Sequence, residues 1–544
     1  MTTLNHLGSF FAWRCRQQPE ALAFAFVRDT LEIGQSMTYA QLESQVTALA
    51  ALIRQHTEVG DRVLLVYPPG LEFVRAFWAC MVSGRVAVPV PAPDPVRFKN
   101  NAPRLRAIIV DAQASLVLTT SELLEPARSF RDDEGGTGAN WVATDTAAAD
   151  GAAANAGVIS PAADVALRPD TVAYLQYTSG STSTPRGVVI THANLLDQCA
   201  SLAAGWQIRP GASRLLCWLP HFHDYGLVFG SLMPFHAGVE SYLMSPLSFL
   251  RRPLRWLEAI ARYGATHTGA PNFAYVACVN ALGQQPDWTA DLSALLSCSC
   301  GAEPIHPDAA QQFHAAFRPH GARAALFAPA YGMAEAVLGV TVTAPGVAPV
   351  VLRLDAQQLE RGIVREGGAP GVAVRRIVGC GKPIPDMHVH IVDPQTLEPC
   401  AEDRIGEIWV SGTSVGQGYW RRETQSAEIF RAHTARGDGP CLRTGDLGFI
   451  QDGELFVSGR LKDLVIVHGR NHAPQDIEWT VQRCNPVLRA GYGAAFSIAG
   501  DDGEALVVVR RSSAAPPTPT SPTSCAASAA RWRRSTICRC TPSR

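Results

Sequence analysis

The chain has 544 residues, of which 47% are hydrophobic and 17% charged, so at the usual ~100–200 residues per domain it contains at least two packed units. Lys plus Arg (47) nearly cancels Asp plus Glu (48), which argues against nucleic acid or an anionic membrane as the main partner. The first 20 residues lack a basic segment followed by an apolar one, and no stretch reaches the ~18 apolar residues of a membrane span. We therefore expect a cytoplasmic protein. Its scattered cysteines favour core thiols over a zinc or disulfide framework.

Short apolar runs alternate with helical patterns along the first part of the chain. DRVLLVYPPG (61–70) predicts a buried strand and turn, FVRAFWACMVSG (73–84) a helix that ends at Gly84, and RVAVPVPAP (85–93) the next strand. This alternation is typical of an α/β fold, with parallel sheets covered by helices. From about residue 380 the pattern changes to short β-like segments, which predicts a β-rich part.

A hydroxyl-rich loop lies between two apolar runs at residues 171–196. Its members are Thr178, Ser179, Gly180, Ser181, Thr182, Ser183 and Thr184, followed by Pro185, Arg186 and Gly187. Small hydroxyl residues around a glycine let a loop wrap a polyphosphate and offer N–H and O–H donors, while Arg186 adds a fixed positive charge. The spacing is not that of a GxxxxGK[ST] loop. A Ser/Thr-rich surface turn is the alternative, but it leaves the two flanking buried strands unexplained.

With this loop, the chain resembles the adenylate-forming superfamily, which includes acyl-CoA synthetases, peptide-synthetase adenylation domains and luciferases. Ser183 stands in place of a usual glycine and Arg186 in place of the usual lysine, and this form is most similar to fatty acyl-AMP ligases. The resemblance covers residues 10–510. It implies a large N-terminal domain of parallel sheets with helices plus a β-rich part (1–461), and a small α+β C-terminal domain after the hinge (462–510).

The segment WLPHFHDYGLVFGSLMPFHAG (218–238) is similar to the family segment that borders the acyl pocket and enters a helix. The resemblance implies a catalytic and acyl-binding role for His223. It implies acyl binding also for Asp224, Tyr225, Gly226 and Leu227. An apolar lining suits a lipid tail, because each buried CH₂ contributes ~0.8 kcal/mol. A buried helix with a capping Asp is the alternative interpretation.

CGAEPI (300–305) and FAPAYGMAEAVL (327–338) are similar to the paired segments that hold adenine and the α-phosphate. The resemblance implies that Tyr331 stacks on the adenine and that Glu335 coordinates the Mg²⁺ carried by ATP, a hard oxygen on a hard cation. The other implied nucleotide contacts are Gly301, Ala302, Glu303, Gly332, Met333 and Ala334. Many relatives have threonine at the position of Ala334, so one hydroxyl contact to phosphate is missing or supplied elsewhere.

RTGDLGFI (443–450) places Asp446 on a turn between two short strands, where the family has a carboxylate that accepts both ribose hydroxyls. Taken alone, such an Asp is more often a turn former. GRLKDLVIVHGRNHAPQDIE (459–478) is similar to the interdomain hinge. The resemblance implies that Arg460 reaches ribose or phosphate, and that Lys462 at the hinge joins Arg186 and His223 in the catalytic set.

Residues 342–377 resemble an insertion of fatty acyl-AMP ligases that packs against the small domain and disfavours the rotation needed for thiolation of CoA. The implied reaction is ATP-dependent activation of a long-chain fatty acid to acyl-adenylate, with release of pyrophosphate. The acyl group then passes to an acyl carrier protein of a polyketide or peptide synthetase. A long-chain acyl-CoA synthetase and a catalytically impaired nucleotide or acyl-adenylate binder are the alternatives. A monomer is expected.

The segment 511–544 is rich in Ser, Thr and Pro and holds six arginines and no acid, leaving 41 basic and 48 acidic residues before it. It lacks periodicity, so we expect it to be disordered. The chain has three lysines, Lys99, Lys382 and Lys462, whereas the family places a catalytic lysine near its C-terminus. We therefore expect a truncated small domain, a non-native tail and weak adenylation. We hypothesise a reading-frame shift near codon 511, which sequencing of the locus tests.

Overall fold

The computed structural model describes residues 4–93, 98–127, 138–147, 167–178 and 185–463 continuously. Beyond these it describes shorter segments: 465–467, 470–472, 474, 477–478, 480–481, 488–500, 503–512 and 535–539. Residues 179–184 of the predicted phosphate loop lie outside the described residues, and so do 513–534 and 540–544 of the tail.

The described strands, in chain order, are β1 (Leu22–Val27), β2 (Ile33–Thr38), β3 (Arg62–Tyr67), β4 (Val86–Pro91), β5 (Leu116–Thr119), β6 (Asn140–Ala143), β7 (Val172–Thr178), β8 (Arg186–Thr191), β9 (Arg214–Cys217), β10 (Glu240–Met244), β11 (His267–Ala270), β12 (Ser297–Cys300), β13 (Phe327–Gly332), β14 (Gly339–Val342), β15 (Val351–Asp355), β16 (Val374–Val378), β17 (Lys382–Pro383), β18 (Met387–Val392), β19 (Gly406–Gly412), β20 (Leu442–Gln451), β21 (Glu454–Arg460), β22 (Val465–Val467), β23 (Arg470–His472), β24 (Leu488–Gly500), β25 (Gly503–Ser512) and β26 (Ser535–Arg539).

The described α-helices are α1 (Leu7–Gln17), α2 (Tyr39–His56), α3 (Leu71–Ser83), α4 (Phe98–Ala112), α5 (Ser121–Leu124), α6 (Thr144–Ala147), α7 (His192–Gly205), α8 (Met233–Ala237), α9 (Pro246–Arg251), α10 (Leu254–Tyr263), α11 (Asn272–Gly283), α12 (Pro307–Phe317), α13 (Ala356–Glu360) and α14 (Glu423–Phe430). A π-helix spans Tyr225–Leu232, and 3₁₀ turns span Arg318–His320 and Ala334–Ala336. Among the described helices, none is both long and apolar enough to cross a bilayer.

Two large sheets carry most of the described architecture. The first has the order β17-β14-β13-β12-β11-β9-β10-β1-β2, and the second has the order β6-β5-β3-β4-β7-β8. Strands β13 to β1 run parallel in the first sheet, and β6 to β7 run parallel in the second. Parallel sheets are covered by helices that bury their apolar strands. The parallel pairing in both sheets therefore confirms the α/β prediction.

Local signals in the sequence set the element boundaries. Helix α2 begins with a capping box, in which Thr38 and Gln41 each accept from the other's backbone N–H. Helix α3 ends at Gly84, whose φ of 74° suits glycine, so the predicted strand–helix–strand order over 61–93 is confirmed. The central core is aromatic: Phe235 stacks on Phe11 at 5.3 Å and contacts Trp78 at 4.5 Å.

The β-rich part is an antiparallel sheet of order β18-β19-β20-β21. The insertion at 342–377 contributes the β15–β16 hairpin and the short helix α13. Leu354, Leu359 and Ile377 of this insertion pack on Phe449 and Phe456 of β20 and β21. The insertion is therefore anchored on the large domain, and α13 also lies beside β23.

The C-terminal sheet has the order β24-β25-β26, so the predicted middle strand at 505–510 is confirmed. The expectation of disorder from residue 511 onward stays a prediction, and the described tail residues 511–512 and 535–539 belong to strands. Strand β25 continues to Ser512, and β26 pairs antiparallel with it from Arg511↔Ser535 to Val507↔Arg539. The free edge of β25 offers backbone donors and acceptors that β26 satisfies, an effect that composition does not reveal.

Candidate active site

A cavity of about 880 Å³ opens where the two large sheets meet the β20–β21 hairpin. It brings together residues from distant parts of the sequence. Among those predicted from the sequence, its walls include Thr178, Arg186, His223, Asp224, Tyr225, Gly301, Ala302, Tyr331, Gly332, Met333, Ala334, Glu335, Asp446, Arg460 and Lys462.

One wall of the cavity is a buried hydrogen-bonded pair. The hydroxyl of Tyr331, on β13, donates to Asp446 Oδ2 at 2.7 Å, and Arg460 Nε donates to Asp446 Oδ1 at 2.9 Å. Burial raises the pKa of the Asp446 carboxyl, and the charge of Arg460 opposes that rise. Both carboxylate oxygens are thus aligned at the cavity wall, where they can accept hydroxyl donors of a ligand.

The structure corrects the predicted position of Asp446. It lies inside the ten-residue strand β20, directly opposite Arg460 of β21, and not on a turn between two short strands. Gly445 has a φ of 72° and the register shifts between Leu447 and Gly448, so the strand is locally irregular. This irregularity is what the Thr-Gly-Asp sequence encodes.

The predicted phosphate side is built on the β7–β8 hairpin. Thr178 and Arg186 stand opposite each other in the register, so each described end of the predicted loop faces the cavity. The Arg186 guanidinium lies 5.6 Å from the centre of the Tyr419 ring. Tyr419 in turn donates its hydroxyl to Glu335 Oε1 at 2.8 Å. A cation, an aromatic ring and a carboxylate therefore lie in sequence along this wall.

Glu335 occupies a 3₁₀ turn whose residue Ala334 carries no hydroxyl. Burial raises the pKa of the Glu335 carboxyl, and the hydrogen bond from Tyr419 lowers it. The Gly416 N–H donates to the Glu335 carbonyl at 2.8 Å, which fixes the turn. Within the described part of the chain, no three His, Cys, Asp or Glu side chains cluster as a self-sufficient metal site. A single carboxylate suits a divalent cation that brings its other oxygen ligands on a nucleotide.

The predicted acyl side begins at His223 and Asp224. His223 Nδ1 lies 2.6 Å from Asp224 Oδ1, and the same oxygen accepts from the Tyr225 N–H at 2.6 Å at the start of the π-helix. Burial lowers the pKa of His223, but the hydrogen bond and charge of Asp224 outweigh it, and the pKa lies above 6.5. Asp224 therefore both pairs with His223 and caps the π-helix, so the two interpretations of this segment are compatible.

Among the predicted site residues that the structure describes, three do not line the cavity. Glu303 is exposed, and its carboxylate accepts from the Phe273 N–H at the start of α11. Gly226 and Leu227 are buried in the π-helix. At Gly226 a Cβ would collide with the Pro220 carbonyl oxygen, so this glycine serves close packing behind the site.

Sequence reasoning missed several residues of the cavity wall. Tyr419 lies on the segment that pairs with β8, where the Val189 N–H donates to Gly418 and the Trp420 N–H donates to Gly187. Trp206 lies at the C-terminal end of α7, with its ring edge-on to Phe229 at 5.2 Å. Arg443 pairs with buried Glu407 at 2.8 Å. In the sequence each is simply an aromatic or charged residue beside a predicted helix or strand. Such residues are too common to indicate a functional site.

Comparison with known proteins agrees with this geometry. Residues 11–420 match the family model described as AMP-binding enzyme. The chain is 41% identical over 512 residues to the medium-chain-fatty-acid–[acyl-carrier-protein] ligase JamA of Moorena producens (strain JHB), covering 92% of this chain and 84% of JamA. It is 36% identical over 521 residues to the long-chain-fatty-acid–AMP ligase FadD26 of Mycobacterium tuberculosis (strain ATCC 25618 / H37Rv), covering 93% and 86%.

A solved structure shows the same likeness in three dimensions. The fatty acyl-adenylate ligase from Legionella pneumophila, in complex with acyl adenylate and pyrophosphate, gives a TM-score of 0.79 at 33% identity, covering 95% of this chain and 88% of that chain. The fold and the site together define an adenylate-forming ligase. The chain belongs to the AMP-binding enzyme family, in its fatty acyl-AMP ligase branch, as the loop at 178–187 predicted.

Proposed function

We propose that this enzyme joins a long-chain fatty acid to AMP and delivers the acyl group to the phosphopantetheine thiol of an acyl carrier protein of a polyketide or peptide synthetase. One observation carries the proposal. A single cavity is lined both by the polar residues Tyr331 and Asp446 and by the apolar residues Trp206, Leu338 and Val342. One cavity therefore offers polar contacts for a nucleotide and apolar contacts for an acyl chain, with Arg186 and Glu335 on its wall.

The charges of the site follow from the chemistry. A fatty carboxylate oxygen attacks the α-phosphorus of ATP, the bond from that phosphorus to the bridging oxygen breaks, and pyrophosphate leaves with the electron pair. Both reactants are anions, so the site must reduce their repulsion. Arg186 supplies a fixed positive charge for this purpose. Lys462, exposed at the cavity mouth in the turn after β21, supplies a second.

Asp446 is proposed to accept the ribose hydroxyls and Tyr331 to contact the adenine. Residues 179–184 are proposed to wrap the phosphates. Mg²⁺ bound with ATP would be held by Glu335, where it would neutralise phosphate charge and polarise the phosphorus–oxygen bonds. The His223–Asp224 pair borders the point where the carboxylate enters. A reaction that consumes ATP suits the predicted cytoplasmic location.

Delivery to a carrier protein is favoured over CoA by the anchored insertion. Leu359 is 5% exposed and packs among residues of β20 and β21. Arg376 Nη2 bonds to Asp308 Oδ1 at 2.7 Å, and Arg375 Nη2 donates to the Ser458 carbonyl at 2.9 Å. Both bonds hold the insertion on the large domain, and the Arg375 bond does so on β21, which ends just before the hinge where the small domain is proposed to rotate.

The test compares acceptors side by side. The purified chain is given ATP, Mg²⁺ and a fatty acid, and pyrophosphate release and acyl-adenylate are measured. Free CoA and a phosphopantetheinylated carrier protein are then supplied in parallel. We expect acyl transfer to the carrier protein and little acyl-CoA. Efficient acyl-CoA formation would support a CoA synthetase instead, and binding of an acyl-adenylate mimic without turnover would support a non-catalytic binder.

A further inference from the structure

A partly buried carboxylate behind the proposed phosphate side joins two separate parts of the chain. Asp111, near the end of α4, accepts from the Tyr177 hydroxyl on Oδ2 at 2.7 Å and from Arg422 Nη2 on Oδ1 at 2.7 Å. The Asp111 side chain is 14% exposed and that of Arg422 35%. A carboxylate in the last turn of a helix opposes the helix dipole, so these two partners offset an unfavourable position.

Of the two partners of Asp111, Tyr177 lines the cavity itself, and Arg422 lies three residues after Tyr419, which also lines it. Tyr177 immediately precedes Thr178, and its ring is so close to Gly187 that a Cβ there would lie 3.0 Å from Tyr177 Cζ. Gly187 in turn immediately follows Arg186. One face of the β7–β8 hairpin therefore rests on the ring that Asp111 holds by its hydroxyl.

Arg422 reaches the same hairpin from the other side. Two residues before it, the Trp420 N–H donates to the Gly187 carbonyl at 2.7 Å. The residue before that is Tyr419, which lies beneath Arg186 and bonds to Glu335. A single carboxylate thus ties β7 to the segment that pairs with β8.

We propose that Asp111, through Tyr177 and Arg422, is a positioning residue that sets where Thr178 and Arg186 present themselves to the phosphates of ATP. The inference rests on the proposed function, because it assigns the hairpin to ATP. Asp111 does not itself line the cavity. Loss of the bridge leaves both strands folded but lets their cavity ends shift, and small misplacements near reacting groups are costly.

The test uses the full chain with Tyr177→Phe, Asp111→Asn and the double substitution. We expect each single change to raise KM for ATP about tenfold, as the loss of one hydrogen bond to a charged group does. KM for the fatty acid should change less than about twofold. Because both residues share one bond, the double variant should be less impaired than the product of the single effects. Tyr242→Phe is the matched control, since its hydroxyl donates to Glu240 Oε2 at 2.9 Å outside the cavity wall.

Two measurements keep this inference separate from the proposed function. Calorimetric titration with ATP alone reports on the hairpin without turnover, and thermal unfolding shows whether the variants are folded. A tenfold weaker ATP titration in folded Tyr177→Phe supports the inference even if no fatty acid is activated. Unchanged ATP binding and KM in both single variants overturn it, as does an equal rise in both KM values. A wild-type chain that does not bind ATP overturns both proposals.

Discussion

Tyr331 and Asp446, 115 residues apart in the chain, share a 2.7 Å hydrogen bond at the wall of the cavity. The bond joins β13 of the first sheet to β20 of the β-rich sheet, so the proposed nucleotide side of the site forms where the two sheets meet. Arg460 completes the arrangement from β21.

Replacing Asp446 by Asn tests that arrangement. The amide keeps the shape but loses the charge that pairs with Arg460 and one of the two oxygens that accept hydrogen bonds. We expect KM for ATP to rise about 10- to 100-fold, the effect of losing a charge-assisted bond, measured by ATP–pyrophosphate exchange. Asp393→Asn is the control, because Asp393 accepts from the Gln395 and Thr396 N–H groups of its own turn, outside the cavity wall. An unchanged KM for ATP in Asp446→Asn would remove this residue from the nucleotide site.

The Tyr419–Glu335 bond predicts a change in pH dependence. Burial raises the pKa of Glu335 and the Tyr419 hydroxyl lowers it, so Tyr419→Phe should raise that pKa further. Because Glu335 is proposed to act as a carboxylate, the acid limb of the kcat/KM profile should move to higher pH. The expected displacement is about one pH unit, from a bond of ~1.5 kcal/mol to a charged group. Tyr263→Phe, whose hydroxyl donates to the Leu31 carbonyl, should leave the limb in place. An acid limb that does not move in Tyr419→Phe contradicts the prediction.

The His223–Asp224 pair predicts a pH-dependent stability. The pKa of His223 is raised above 6.5 in the folded chain, so the pair stabilises the fold fully below pH 6.5, and this is lost as pH rises through the folded pKa. Asp224→Asn keeps a helix-capping oxygen but removes the charge. We expect a lower free energy of unfolding at pH 5.5 and little difference at pH 9, measured by urea denaturation. A loss of equal size at both pH values would show that only the cap matters.

Trp206 is predicted to limit the length of the acyl chain. It is 2% exposed and lines the cavity together with the apolar residues Leu338 and Val342. Trp206→Leu opens space there, and each additional CH₂ that becomes buried contributes ~0.8 kcal/mol. We expect the preferred fatty acid to lengthen by about two to four carbons, measured as kcat/KM across a series of acids.

Trp206→Leu should also destabilise the fold by ~3 kcal/mol, because it leaves part of a buried volume empty. Trp288→Leu is the matched control: this tryptophan is 8% exposed and packs on Phe317, outside the cavity wall. It should cost similar stability without changing the preferred chain. A change of preference in both variants would assign the effect to general loosening.

Local sequence determined much of the fold and the family of this protein. The strand, helix and strand over 61–93 follow from the spacing of apolar residues and from Gly84, which ends the helix locally. The hydroxyl-rich loop with Arg186 was enough to predict the fatty acyl-AMP ligase branch, because its order of residues is itself unusual.

Other features were decided by tertiary structure alone. Asp446 looked like a turn former in the sequence. In the fold, Tyr331 contacts it from the first sheet and Arg460 from the neighbouring strand β21. Glu303 matched a nucleotide motif, yet the nearby start of α11 takes its carboxylate. Tyr419, Trp206 and Asp111 carried no distinctive signal in the sequence, since each matters through neighbours that the fold brings close. Short-range propensity acts along the chain, whereas buried hydrogen bonds and cavity walls join residues from 66 to 311 positions apart, as at Tyr177–Asp111 and Asp111–Arg422, and only the packed fold determines those.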